Sequence, residues 1–366
     1  MGAEHLKPLT SMRFFAALWV VLYAWWPDSN FGTAPGLIAK GYLGVELFFV
    51  LSGFILCHVY LDQAEMGRFR YGSFLWNRLA RVYPLHLATL LGVGLLAGGA
   101  MLAGLQVDGN VLHWESLPAN ILMVHAWGLT DTAGWNHPSW SISAEWFAYL
   151  SFPIFAAAAF ALRSRPVLAT ALAVFVLFAG YAGYEALSGG ALTQATFMGG
   201  AVRIVPPFAF GCAIFLLWRS GVLGKTRFTG TQVALAALAV SILGIGLSAG
   251  LGGPDALTVS FFGVLILALA GLAEHESPFT SAPLVFLGEA SYSLYMICIP
   301  FKLVAVNAAQ KVLGVEGLPA WAWIPLVALL PLLSGVSYLA IEKPARAWMK
   351  GVAERGKKPQ AAVQAA

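Results

Sequence analysis

Long, predominantly apolar segments dominate the chain and restrict what it can fold into. Two of them, Leu43 to Leu61 and Val167 to Tyr184, each contain 18 residues or more. An α-helix of that length crosses a hydrocarbon core of roughly 30 Å. These segments therefore predict helices that span a membrane.

The composition supports this interpretation. Charged residues make up 10% of the chain and hydrophobic residues 59%, whereas soluble domains have about 25% charged residues. A disulfide scaffold is excluded because Cys57, Cys212 and Cys298 all fall within apolar segments. The fold class predicted is all-α, a polytopic bundle of about ten transmembrane helices embedded in a lipid bilayer.

The hydropathy pattern predicts ten spans and a structured connection of residues 106–140. That connection and its end carry four tryptophans, which favour a cap lying on the bilayer. We assign residues 1–346 to one membrane domain and residues 347–366 to a disordered, cytoplasmic polar tail. The predicted spans are 9–27, 43–61, 83–105, 141–162, 167–186, 203–218, 230–250, 256–273, 284–305 and 322–341.

The positive charges predict the orientation. With ten spans, 17 of the 21 Lys and Arg residues fall on the side that holds both termini. Cytoplasmic loops carry the excess of positive charge, so we expect both termini in the cytoplasm. The basic residues are scattered between apolar segments, which argues against a nucleic-acid partner.

Among the charged residues within or beside the predicted spans, where a charge costs at least ~2.5 kcal/mol, five are candidates for a specific role. Each is interpreted as a structural ion pair, a helix-end anchor or a functional group. They are Arg13, Glu46, Glu145, Arg203 and Glu289.

Two spacings place a pair of residues on a shared helix face. Arg13 and Ala24 are eleven residues apart, which returns to nearly the same face ~16 Å along the helix. Arg78 and Arg81 are three residues apart, so their guanidinium groups lie one turn apart. Two such groups suit the oxygens of a phosphate-bearing ligand. A lipid headgroup contact or a topology signal is the alternative.

The chain resembles the acyltransferase 3 family of bacterial membrane O-acyltransferases along nearly its whole length. The resemblance rests on several short sequence blocks that occur together in the order and spacing of the family. These blocks are Leu9–Trp25 with Arg13, Gly41–Phe54, Phe74 with Arg78, Arg81, Tyr83 and Pro84, Trp140–Tyr149, Gly288–Tyr295 with Pro300, and Glu342–Pro344.

The resemblance implies a reaction and a location. Members move an acyl group, usually acetyl, from cytoplasmic acyl-CoA to a sugar hydroxyl at the outer face of the bacterial inner membrane. It implies acetyl-CoA as donor, a polysaccharide or lipid-linked sugar as acceptor, and no metal. Direct transfer and a covalent acyl intermediate both stay open.

The resemblance also implies site residues, with one departure. Arg13 matches the first-helix Arg, and Arg78 and Arg81 match the pair expected to hold CoA phosphates. The catalytic His of the family is replaced by Ala24, which cannot act as a general base. An introduced His-to-Ala change that traps a complex is the favoured origin, and a natural non-catalytic paralogue is the alternative. In either case this form is expected to be inactive.

The remaining site predictions concern carboxylates and aromatic rings. Glu46 or Glu145 is expected to orient the catalytic group or pair with Arg13, with Glu145 on the acceptor side. Four tryptophans near the outer face are candidates for stacking on sugar rings, although an interfacial belt gives the same pattern. They are Trp25, Trp26, Trp135 and Trp140.

Two other functions are compatible with the pattern. A secondary transporter also uses charges at the membrane midplane, but it commonly carries an inverted repeat, and none is visible between the two halves of the sequence. A membrane protein that binds acyl-CoA without chemistry is the second alternative.

Overall fold

The computed structural model describes residues 6–132, 134–221 and 230–355. Within these ranges the chain is helical and contains no strand, which confirms the all-α prediction. The helices are α1 (Lys7–Trp25), α2 (Gly36–Ala39), α3 (Gly44–Glu65), α4 (Tyr71–Leu102), α5 (Leu117–Ile121), α6 (Trp140–Leu150), α7 (Phe152–Leu162), α8 (Pro166–Ser188), α9 (Gly200–Arg219), α10 (Gly230–Gly250), α11 (Asp255–Gly271), α12 (Ala282–Glu289), α13 (Ser291–Leu313), α14 (Ala320–Ser337) and α15 (Lys343–Arg355).

The predicted spans all correspond to helices, but their shapes differ. Among the described residues, eight helices are long and apolar enough to cross a membrane, and a bent pair adds a ninth. The predicted span 256–273 is the shorter apolar helix α11. Without α11, whose 17 residues are fewer than a full span needs, the described residues provide up to nine of the ten spans that hydropathy predicts.

Two predicted spans are interrupted. The segment 141–162 consists of α6 and α7, which meet at an angle of 58°. Pro153 lies in the first turn of α7 and has no amide hydrogen to donate to α6, which explains the break. The segment 284–305 is divided at Ala290, between α12 and α13.

Helices α3 and α9 lie at the centre of the bundle and pack at close range. A Cβ added at Gly53 would collide with the carbonyl of Phe208, and one added at Gly211 would collide with the carbonyl of Val50. Small residues allow this backbone approach between membrane helices. The packing fixes α3, which forms one wall of the central cavity.

The predicted cap is ordered by hydrogen bonds from its indole groups. Trp127 Nε1 donates to the carbonyl of Ser143 (2.9 Å), and Trp135 Nε1 donates to that of His113 (3.0 Å). The ring of Trp114 lies edge-on to Trp135. The connection 106–140 is therefore tied to the start of α6, as a structured cap requires.

The prediction for the tail is wrong over residues 347–355. They belong to α15, which continues from α14 through a π-helical turn, Tyr338–Glu342. Trp76 Nε1 donates to the carbonyl of Met349 (2.9 Å) and holds α15 against α4. This tertiary contact stabilises a helix whose composition alone suggested disorder. Residues 356–366 lie outside the described residues.

Candidate active site

A central cavity lies among α1, α3, α4, α6 and α13. It contains about 760 Å³ of space, including its open mouth. Three arginines and one carboxylate line it, together with aromatic and aliphatic side chains. The charged members are Arg13, Arg78, Arg81 and Glu145.

The three arginines come from two helices, as their spacing predicts. Arg78 and Arg81 lie one turn apart on α4, and Arg13 reaches the cavity from α1. The guanidinium of Arg78 lies over the rings of Tyr60 (5.7 Å) and Tyr149 (6.0 Å). These aromatic faces hold the Arg78 side chain without neutralising its charge.

Glu145 is held in the same cavity by two hydroxyl donors. Tyr149 Oη donates to Glu145 Oε1 over 2.5 Å, and Ser52 Oγ donates to the same oxygen over 2.8 Å. The tyrosine is one helical turn after the glutamate on α6, while the serine comes from α3. The prediction that Glu145 belongs to the site thus agrees with its position, facing the arginines.

The positive charges in the cavity exceed the negative charges that line it. In residues 6–132, 134–221 and 230–355, neither Arg13, Arg78 nor Arg81 forms an ion pair. Arg78 Nε is buried and has no hydrogen-bond partner. A buried cation without a partner is costly, so the cavity favours an anionic ligand.

Ala24 lies at the end of α1 and does not line this cavity. Its carbonyl accepts a hydrogen bond from Lys302 Nζ (2.8 Å), and Lys302 is paired with Asp28 (2.6 Å). The next carbonyl, of Trp25, accepts one from Trp323 Nε1 (2.9 Å). The main chain at position 24 is therefore fixed by α13 and α14.

Glu46 does not occupy the predicted place. It is completely buried in an ion pair with Arg203, with Nε and Oε1 2.5 Å apart. It lies outside the lining of the cavity and does not pair with Arg13. Of the roles considered for Glu46 and for Arg203, a structural ion pair is the one that these contacts support.

Three of the four tryptophans predicted to stack on sugars are buried and present no open ring face in this structure. Trp25 has no exposed surface and stacks on Phe301 (5.9 Å). Trp140 lies beneath the guanidinium of Arg203 at 4.5 Å, and Trp135 packs in the cap. Burying these large apolar rings in the protein stabilises the fold, and a buried ring cannot stack on a sugar.

Trp26 is the partly exposed member of the four. Its Nε1 donates to the carbonyl of Gly32 (3.0 Å), and its ring contacts Phe31 and Trp323. It remains a candidate for contact with an acceptor at the end of α1.

Two buried histidines lie apart from the cavity, at the base of the cap. The rings of His86 and His125 are stacked with centroids 6.0 Å apart. His86 Nε2 bonds to the carbonyl of Asn120 (2.8 Å), and His125 Nε2 bonds to Ser139 Oγ (3.1 Å). Burial, followed by the neighbouring His86, lowers the pKa of His125 to about 3. A structural role explains both.

Sequence reasoning missed several groups that line or shape the site. Tyr149 carries a local signal, since it follows Glu145 by four residues on one helix. Ser52 and Tyr60 carry none, because α3 brings them to the cavity only through the tertiary fold. Lys302, which fixes position 24, is likewise remote in sequence.

Comparison with known proteins identifies the class. The acyltransferase 3 family model, described as an acyltransferase domain, matches residues 8–340. The chain belongs to this family. No solved structure matches it.

Two relatives show the range of similarity. The chain is 36% identical over 159 residues to acyltransferase MdmB of Streptomyces mycarofaciens, covering 41% of this chain and 39% of the relative. It is 23% identical over 373 residues to O-acetyltransferase OatA of Staphylococcus aureus (strain NCTC 8325 / PS 47), covering 94% of this chain and 57% of that protein. The chain thus spans about half the length of the curated relatives it matches.

Proposed function

We propose that this membrane protein belongs to an O-acetyl transfer system in which acetyl-CoA donates the acyl group to a sugar hydroxyl. The observation that carries the donor assignment is the cavity with Arg13, Arg78 and Arg81 and no ion pair for any of them among the described residues. CoA is an acyl carrier with several phosphates, and guanidinium groups bind phosphate oxygens in bidentate geometry. The family and the O-acetyltransferase name of a relative favour this function over a transporter.

The proposed orientation follows the positive charges. With both termini in the cytoplasm of a bacterial inner membrane, the start of α1 faces the donor pool and Ala24 faces the acceptor side. Along α1, ~16 Å separate Arg13 in the cavity from position 24, a distance comparable to the length of an extended pantetheine arm. The acceptor, a surface or exported polysaccharide, is then acylated on the membrane face opposite to the one from which CoA enters.

The transfer itself requires one proton to be moved. The sugar hydroxyl oxygen forms a bond to the acyl carbonyl carbon, the carbon–sulfur bond breaks, and the thiolate of CoA leaves and takes up a proton. The resemblance assigns removal of the hydroxyl proton to a His at position 24. Since Ala24 has no basic group, we propose that this form binds the donor and turns over poorly.

The donor site is tested by isothermal titration of the purified protein with CoA. We expect the double variant Arg78→Ala with Arg81→Ala to weaken binding at least about 100-fold, because it removes two charge-assisted contacts. Arg68→Ala with Arg70→Ala is the matched control, since it removes two exposed charges from the loop before α4. Unchanged affinity in the cavity variant would remove Arg78 and Arg81 from the donor site.

A further inference from the structure

A second cavity leads from the bundle end where α1 begins toward the central cavity. It contains about 880 Å³ of space, including its opening to solvent. Arg13, Arg81, Leu51 and Ile55 line both cavities, so the two adjoin along a shared wall. The outer cavity has one more arginine, Arg346, which does not line the inner one.

Arg346 is brought to the outer cavity by the last described helix. The π-helical turn Tyr338–Glu342 widens the helix locally just before α15, and such turns are frequent at functional sites. One turn beyond Arg346, the carbonyl of Met349 accepts the hydrogen bond from Trp76. Arg346 and Arg81 both line the outer cavity.

Arg346 lies near two carboxylates, Glu289 of the same cavity and Glu342, but pairs with neither. The side chain is half-buried, and within the described ranges it forms no ion pair. The nearby carboxylates bond to hydroxyl groups instead. Glu289 accepts from Tyr338 Oη (2.9 Å), and Glu342 accepts from Ser293 Oγ (3.0 Å).

The arginines are therefore distributed over the two adjoining cavities. Arg78 lines only the inner cavity, Arg346 only the outer, and Arg81 lies between them. A ligand that satisfies the arginines of both cavities carries two separate anionic groups. CoA has this chemistry, with a diphosphate next to the pantetheine arm and a separate phosphate on the 3′-oxygen of its ribose.

We propose that Arg346 binds the ribose 3′-phosphate of the donor, while Arg78 and Arg81 hold the diphosphate. This inference rests on the proposed function, because it assigns a further contact to the same donor. Arg346 is then a specificity residue that distinguishes CoA from dephospho-CoA, which lacks the 3′-phosphate.

The test compares the two ligands by isothermal titration. We expect Arg346→Gln to weaken CoA binding about tenfold or more and to leave dephospho-CoA binding unchanged, since only CoA loses a charge-assisted contact. Arg346→Lys keeps the charge and should restore part of the preference for CoA. Lys343→Gln removes one exposed charge from the same helix and should change neither affinity.

The outcomes separate the two proposals. If Arg346→Gln weakens both ligands equally or neither of them, while the unmodified protein binds CoA, the assignment of Arg346 is overturned and the donor site stands. If the unmodified protein binds neither ligand, the proposed function fails as well. The thermal unfolding midpoint of Arg346→Gln, expected to be unchanged, shows that its effect on CoA does not come from unfolding.

Discussion

Replacing Ala24 with His is expected to raise acetyl transfer from acetyl-CoA by roughly 10²- to 10⁴-fold, the usual contribution of a general base. The main chain at this position is already fixed, because Lys302 and Trp323 bond to the carbonyls of residues 24 and 25. A side chain introduced at position 24 therefore extends from a main chain whose position is set by α13 and α14. The measurement is transfer of labelled acetyl groups, or thioester turnover, in membranes that contain the variant.

Ala24→Asn is the matched control for this gain. It introduces a polar side chain of similar reach that cannot take up a proton, so it should leave transfer at the level of the unmodified protein. If Ala24→His binds CoA and gains no transfer, position 24 is not where the missing base belongs. The interpretation of this chain as an impaired form would then be wrong.

Removing the charge of Glu46 is expected to destabilise the protein by about 3–5 kcal/mol, the usual cost of breaking a buried ion pair on one side. Glu46→Gln leaves the guanidinium of Arg203 in the core without its carboxylate, where 2% of that side chain is exposed. The free energy of unfolding in detergent measures the loss.

Two further variants separate charge from packing. Asp62→Asn removes an exposed partner of Arg219 and should cost less than about 1 kcal/mol. Glu46→Leu with Arg203→Met removes both buried charges and should recover most of the stability, because apolar replacement of a whole buried pair is often neutral. Equal stability of Glu46→Gln and the unmodified protein would show that the pair does not hold α3 to α9.

The features that sequence alone predicts depend on local periodicity. The 18-residue apolar segments indicate helices irrespective of their neighbours, and the spacing of Arg78 and Arg81 places both guanidinium groups on one face of α4. That face does line the cavity. The bend between α6 and α7 has a local signal too, in Pro153, but hydropathy averages over it.

Partner choice is the part that sequence cannot supply. Glu46 bonds to Arg203, which follows 157 residues later, and only the tertiary fold selects this arginine over Arg13. The indole of Trp25 stacks on Phe301 for the same reason. A tryptophan near a predicted membrane edge can turn inward or outward, and the periodicity of its own helix does not distinguish the two.

A cryo-electron microscopy structure of the protein with acetyl-CoA bound would show directly where the donor lies. We expect diphosphate density against Arg78 and Arg81, with the acyl group extending along α1 toward Ala24. Donor density outside the arginine-lined cavity, or an acyl group directed away from position 24, would contradict this placement of the donor.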